Sequence, residues 1–260
     1  MRPRDRDAAY WLVALASPAA LVLLWDALSR FGLVDPLLLP PPGAIAAALR
    51  DVIVDGYAGV GVLTHMGVSL YRVAAAFLAA VVVGVTIGLM RGVHSKVDAA
   101  FLIPFEVVRP IPPLAFISLF ILWFGIGEVS KILIIFYSAM LIVALNAQAG
   151  VAACPQDKIR AARSLGASRW QAFWRVILPA ALPQTMVGLR VALATALSIL
   201  VAAELLGGDR GLGFVISDAS TFFKTNDVFV GIILIGAIGF LADRGLAWLG
   251  RRYVHWEGRS

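Results

Sequence analysis

What most constrains this chain is a succession of apolar stretches, each about as long as a bilayer is thick. A hydrocarbon core of ~30 Å takes about 20 mainly apolar residues as helix, and backbone groups inside it must be satisfied within the segment. Stretches that meet this requirement run at residues 8–28, 63–90, 99–124, 131–152, 184–206 and 228–249. They predict six transmembrane helices, so the expected fold class is an all-α polytopic membrane protein. The composition agrees: 60% of the 260 residues are hydrophobic and 15% charged, with a mean hydropathy of +0.88, more apolar than a soluble core needs. The first stretch comes after Arg2, Arg4 and Arg6, as a signal peptide would. It is longer than an h-region of ~7–15 residues and lacks a small-x-small cleavage site before Asp26, which predicts an uncleaved span containing Pro18.

Between the spans, the run LLLPPP at 37–42 excludes helix interior, and residues 43–54 read as a short amphipathic helix at the outer surface. Residues 123–128, WFGIGE, predict an outer turn with an interfacial aromatic, and residues 213–223 a short outer helix. Cationic loops stay on the cytoplasmic side. With both termini inside, thirteen Lys/Arg fall in cytoplasmic segments, including 91–96 and Arg259, five in external ones and four within spans. The net charge of +6 is thereby explained by loop asymmetry, without a nucleic-acid partner.

The long polar interruption at 157–183 carries five cations, Lys158, Arg160, Arg163, Arg169 and Arg175, against the single carboxylate of Asp157. Ile159, Ala162 and Leu165 recur at helical spacing before Gly166, and Phe173, Trp174 and Ile177 after it. Gly166 permits the positive φ of a sharp turn, and Ser168 is placed to N-cap the second helix. The segment reads as helix, turn, helix on the cytoplasmic side.

Charged groups in or near the spans are Arg72, Glu106, Arg109, Arg190 and Glu204. Each costs ~2.5–3.5 kcal/mol at mid-helix and should face protein or water. Glu106 and Arg109, three apart, are expected to pair on one face, whereas Arg190 and Glu204 must each find a partner elsewhere. Prolines 104, 110, 112 and 113 break the third span, and helices broken at membrane depth line wet cavities or lie buried in protein. Glu106, Arg109, Pro110, Pro112, Pro113 and Glu204 are therefore the candidate pathway residues.

No catalytic set and no metal-ligand cluster is visible: His65, His94 and His255 are isolated and read as surface or interface residues, and Cys154 is a lone cysteine. Gly211 and Gly213 lack the third glycine and the strand of a dinucleotide site, and no P-loop occurs. If ATP drives this chain, it binds another subunit. A secondary transporter would need no ATPase, but neither inverted repeats nor a self-contained ion site is evident.

Ala161-Ala162, Gly166, Val176 and Leu178-Pro179 resemble the cytoplasmic signature loop of bacterial ABC importer permeases, with Arg160 at the signature glutamate and Val176 where isoleucine is common. With LLLPPPGAI, SLYRVAAAF, RPIPPLAFISLFILWFGIGEVSKI and GLRVALATALSILVAAELLGGDRGLGF, almost the whole chain resembles the nitrate, sulfonate and taurine branch of type I ABC importer permeases, 160–213 looking closest to taurine permeases. The resemblance implies an inner-membrane homodimer, two cytoplasmic ATPase subunits that hold ATP and Mg, and an external substrate-binding protein. The solute implied is a small sulfonate such as taurine, or alternatively nitrate or another small anion or zwitterion. It also implies that Arg160, Ala161, Ala162, Leu165, Gly166, Ala167 and Ser168 couple to the ATPase. The domains expected are 1–62, a span with an outer segment; 63–249, the permease core with the coupling loop at 155–183; and 250–260, a cytoplasmic tail.

Overall fold

The computed structural model describes residues 8–205, 207–254 and 256. The basic N-terminus with Arg2, Arg4 and Arg6, together with Leu206, His255 and Arg259, lies outside the described residues. Helices run in the order α1 (Ala8–Arg30), α2 (Pro42–Val54), α3 (Val62–Val93), α4 (Ser95–Val108), a 3₁₀ turn (Pro113–Phe116), α5 (Ile117–Phe124), α6 (Glu128–Ala152), α7 (Gln156–Ser164), α8 (Arg169–Ala172), a π turn (Phe173–Ile177), α9 (Leu178–Leu205), α10 (Leu212–Thr221) and α11 (Thr225–Tyr253). Among the described residues, five helical runs are long and apolar enough to cross a membrane. A sixth crossing is made if the α4 and α5 pair, bent by 89°, counts as one.

The chain divides into two compact units, Met1–Thr64 with Val215–Ile233 and His65–Phe214 with Leu234–Ser260. In the first, side chains bind carbonyls of the non-helical, proline-rich run that joins α1 to α2. Trp25 Nε1 donates to the Pro40 carbonyl at 3.0 Å, Ser29 Oγ to Leu39 at 2.9 Å and Thr225 Oγ1 to Leu37 at 2.6 Å. The Tyr57 hydroxyl donates to Asp218 at 2.8 Å, and burial, together with that hydrogen bond, pushes its pKa well up.

The second unit holds the core. Val73, Ala76, Phe77 and Ala80 of α3, Ile134, Ile135, Ala139 and Val143 of α6, and Ala192, Leu193, Ala196 and Leu200 of α9 are all buried in one cluster. Small residues let these backbones approach where lipid supplies no hydrophobic drive between helices. Gly84, Gly88 and Gly92 recur every four residues along α3, and a Cβ on Gly88 would collide with the Ala144 carbonyl of α6.

Three expectations require correction. Helix α9 begins at Leu178, earlier than residue 184, and joins α8 through the π turn, so Arg169–Leu205 is one apolar helical run of 37 residues. Pro183 supplies no N–H to the Pro179 carbonyl, and Trp256 Nε1 donates there instead at 3.1 Å, so the helix passes the proline without an orphaned acceptor. Pro104 lies inside α4; the break falls only at residues 109–112. Arg91, expected in a short basic loop, lies instead in the last turn of α3, buried, paired with Asp98 at 2.9 Å and set over the Phe105 ring. Lys131, one of the five cations counted as external, stands in the first turn of α6 with its side chain buried.

Candidate functional site

The predicted coupling residues fall in one surface segment built by two local rules. Helix α7 ends in a Schellman motif: Ala167 N–H donates to the Ala162 carbonyl and Gly166 N–H to that of Arg163, both at 3.0 Å, with Gly166 at φ +84°. One residue later a capping box opens α8. Ser168 Oγ accepts from Gln171 N–H at 3.2 Å, and Gln171 Oε1 accepts from Ser168 N–H at 2.9 Å. The turn is therefore rigid by its own hydrogen bonds. Arg160, Ala161, Leu165, Gly166 and Ser168 are exposed, Ala162 and Ala167 half-buried, and Leu165 is 89% exposed, an apolar side chain open to its surroundings. Arg160 meets Asp157 at 3.9 Å with both side chains mostly in solvent, a pair worth little.

Through the π turn this segment is continuous with α9, which has two different faces. Ala181, Thr185, Gly188, Ala192, Ala196, Ile199 and Ala203 are buried against the core. Val187, Arg190, Val191, Ala194 and Ser198 are exposed and, with half-buried Thr195, line an open cavity of about 520 Å³. Arg190 binds Asp243 of α11 with two parallel hydrogen bonds, Nε to Oδ1 at 2.7 Å and Nη2 to Oδ2 at 2.8 Å. The partner expected for Arg190 is thus Asp243, which sequence reading did not identify. The available signal was a second intramembrane charge of opposite sign, in the sixth span.

At the other end of α9 the structure departs from expectation. Glu204 was placed on the pathway wall, but its side chain has 0% exposure. Oε1 accepts from Arg72 Nη1 at 2.7 Å and from Ser69 Oγ at 2.8 Å, and Oε2 accepts from Gly213 N–H at 2.7 Å. Arg72 also donates through Nε to Glu128 at 2.7 Å and through Nη1 to the Arg210 carbonyl at 2.9 Å. The adjoining loop N–H groups are bound too: Gly211 donates to His65 Nδ1 at 3.1 Å and Leu212 to Ser69 Oγ at 2.8 Å. A buried charge is tolerated when paired and fully hydrogen-bonded, and here both conditions hold. His65, read from sequence as a surface or interface residue, is fully buried and stacks on Phe214. Gly211, at φ +119°, and Gly213 are needed because a Cβ on either would strike the Glu204 side chain.

Glu106 and Arg109 are both exposed and form no ion pair with each other or with any other described residue. The expected pairing is absent because exposed charges three residues apart gain too little to hold two side chains in one geometry. Pro110, Pro112 and Pro113 make the bend, with Pro113 opening the 3₁₀ turn. Among the described residues no three His, Cys, Asp or Glu side chains gather as a metal site would.

Helix α9 is thus two-faced, tied into a largely buried ion cluster at one end and fused to an exposed, self-capped turn at the other. Comparisons with known proteins agree with this architecture. Residues 80–255 match the model of the binding-protein-dependent transport system inner membrane component family. The taurine transport system permease protein TauC of Escherichia coli K12 is 41% identical over 247 residues, 95% of this chain and 90% of that protein. A putative aliphatic sulfonates transport permease protein, SsuC of Bacillus subtilis 168, is 35% identical over 95% of this chain and 88% of that one. A solved chain of the MetNI methionine ABC transporter, described as inward facing, shares the fold with a TM-score of 0.55 at 21% identity, covering 69% of this chain and 93% of that chain. By its helices and by these likenesses, the chain belongs to the family of inner membrane components of binding-protein-dependent transport systems, the ABC importer permeases.

Proposed function

We propose that this chain is the membrane-crossing subunit of an ATP-driven importer for a small sulfonate, taurine or an aliphatic sulfonate. The similarity to a taurine permease over 95% of the chain carries this reading. In the assembly, two copies meet an external binding protein on one side and two ATPase subunits, which hold ATP and Mg, on the other. Both termini lie in the cytoplasm. Arg160, Ala161, Ala162, Leu165, Gly166, Ala167 and Ser168 form the docking element, and the exposed Leu165 supports an apolar anchor in a partner groove.

Motion passes from that element to the pathway through one helix. The capped turn is rigid and α8, the π turn and α9 form one run, so displacement of the turn rotates or tilts α9. The open face of α9 then forms the wall along which an anion passes. Arg190 offers that anion a cation, and Asp243, hydrogen-bonded to it, prevents a deep trap, since conduction requires binding weak enough for release. The exposed Glu106 and Arg109 and the bend at Pro110, Pro112 and Pro113 extend this wall, whereas the Arg72–Glu204 cluster serves as the fixed pivot.

Uptake of radiolabelled taurine into proteoliposomes containing the permease, its ATPase and its binding protein tests the proposal. ATP-dependent uptake of taurine or an alkanesulfonate is expected. Uptake of nitrate alone would transfer the substrate to the nitrate-type alternative, and uptake without ATP would make the chain a secondary transporter.

A further inference from the structure

Beyond the coupling and pathway residues, a second cavity lies at the end of the core that carries the capped turn. Its volume is about 390 Å³, and it is lined by Leu89, Met90 and Val93 of the last turns of α3, His94 beyond them, and Arg163, Arg169, Trp170, Ala172, Phe173 and Ile177. The lining has two parts. Leu89, Met90, Val93, Phe173 and Ile177 form apolar walls continuous with two spans, and Trp170, 69% exposed, stands beside them as aromatic residues do at the headgroup level. Arg163 and Arg169 bring two guanidinium groups, His94 adds an imidazole, and among the described residues no carboxylate lines the cavity. Neither arginine forms an ion pair with a described residue.

From this we infer a binding site for an anionic phospholipid, its phosphate held by Arg163 and Arg169 and its acyl chains laid along α3 and the π turn. A free phosphate would use the cations and leave the apolar walls wet. A zwitterionic lipid would cover the walls and bring a phosphate, but its own ammonium cancels that charge beside two arginines and leaves the site with its excess of positive charge. An anionic amphiphile matches both halves, and guanidinium forks fit phosphate oxygens geometrically. Arg163 and Arg169 lie within the coupling loop but are not among the residues assigned to ATPase docking, and lipid seated there would brace the turn against α3.

Native mass spectrometry of the full chain, alone and with its ATPase, released from vesicles of equal parts phosphatidylglycerol and phosphatidylcholine, reads the bound lipid directly. Selective retention of phosphatidylglycerol by both preparations is expected. Arg163→Gln with Arg169→Gln should reduce it about tenfold or more, since each basic group near an anionic headgroup is worth roughly a fivefold factor. Arg163→Lys with Arg169→Lys should recover part of it. Arg251→Gln with Arg252→Gln, which removes equal charge away from the cavity, should leave it unchanged. Equal retention of the two lipids, equal loss in the Arg251 and Arg252 variant, or displacement of the lipid by inorganic phosphate would each overturn the assignment. Retention only in the absence of the ATPase would overturn it too, by assigning the cavity to the ATPase. The readout is lipid, so it stands apart from which solute is carried.

Discussion

Arg72 and Glu204 are 132 residues apart in sequence and 2.7 Å apart in space, Nη1 to Oε1, with 2% and 0% of their side chains exposed. Their surroundings make the two residues unequal. Arg72 has a second carboxylate, Glu128, which is about half exposed; Glu204 has no second cation within bonding distance among the described residues. Arg72→Gln therefore leaves a fully buried carboxylate without its charge partner and should destabilise by about 3–5 kcal/mol. Glu204→Gln should cost less, because Glu128 still neutralises Arg72. Combining the two should restore part of what Arg72→Gln loses. Thermal unfolding in detergent, followed for the three variants, checks this order; equal losses in both single variants would contradict it.

Gly88 of α3 faces the Ala144 carbonyl of α6, a backbone atom that cannot swing aside as a side chain could. Gly88→Leu should cost about 1–3 kcal/mol or more through overpacking, while Gly67→Leu, on the same helix with open space at its Cβ, should be tolerated. Size-exclusion profiles and melting temperatures of the two variants decide it.

Gly166 sits at φ +84° with nothing near its Cβ, so a substitution there strains the turn without striking a neighbour. Gly166→Glu should leave membrane insertion and the melting temperature nearly intact but reduce co-purification with the ATPase or uncouple hydrolysis from uptake. Full ATPase retention with normal uptake would remove this turn from the mechanism.

Arg190 lines the cavity beside α9, and Asp243, bonded to it, keeps 39% of its side chain exposed in the isolated chain. Arg190→Ala should lower sulfonate uptake by about tenfold or more with assembly preserved, the scale of one charge-assisted hydrogen bond. Arg190→Gln with Asp243→Asn should assemble normally and still transport poorly. Near-normal uptake by that double variant would make the pair purely structural.

Cys154 is 3% exposed, and burial pushes its thiol pKa upward, against a smaller opposing effect of Lys158. A raised pKa keeps the reactive thiolate scarce at neutral pH, and labelling should increase as the pH rises. Maleimide should therefore leave the folded protein largely unmodified near neutrality and label it fully after denaturation in SDS, as read by mass shift.

The sequence by itself determined the spans, because apolar length against bilayer thickness is a property of consecutive residues, and it determined the turn at Gly166 and Ser168, because caps are hydrogen bonds between near neighbours in the chain. It also determined that Arg190 and Glu204 required partners, since charge in hydrocarbon is costly wherever its partner lies. Only the tertiary structure decided which partners these were. Asp243 is 53 residues from Arg190 and Arg72 is 132 from Glu204, and no local spacing encodes such distances. For the same reason the glycines at 211 and 213 read as a weak nucleotide motif until the buried carboxylate packed against them was known, and His65 read as an isolated surface or interface group. Helix continuity past Pro183 was equally hidden, because the hydrogen bond that satisfies the Pro179 carbonyl comes from Trp256, 77 residues away.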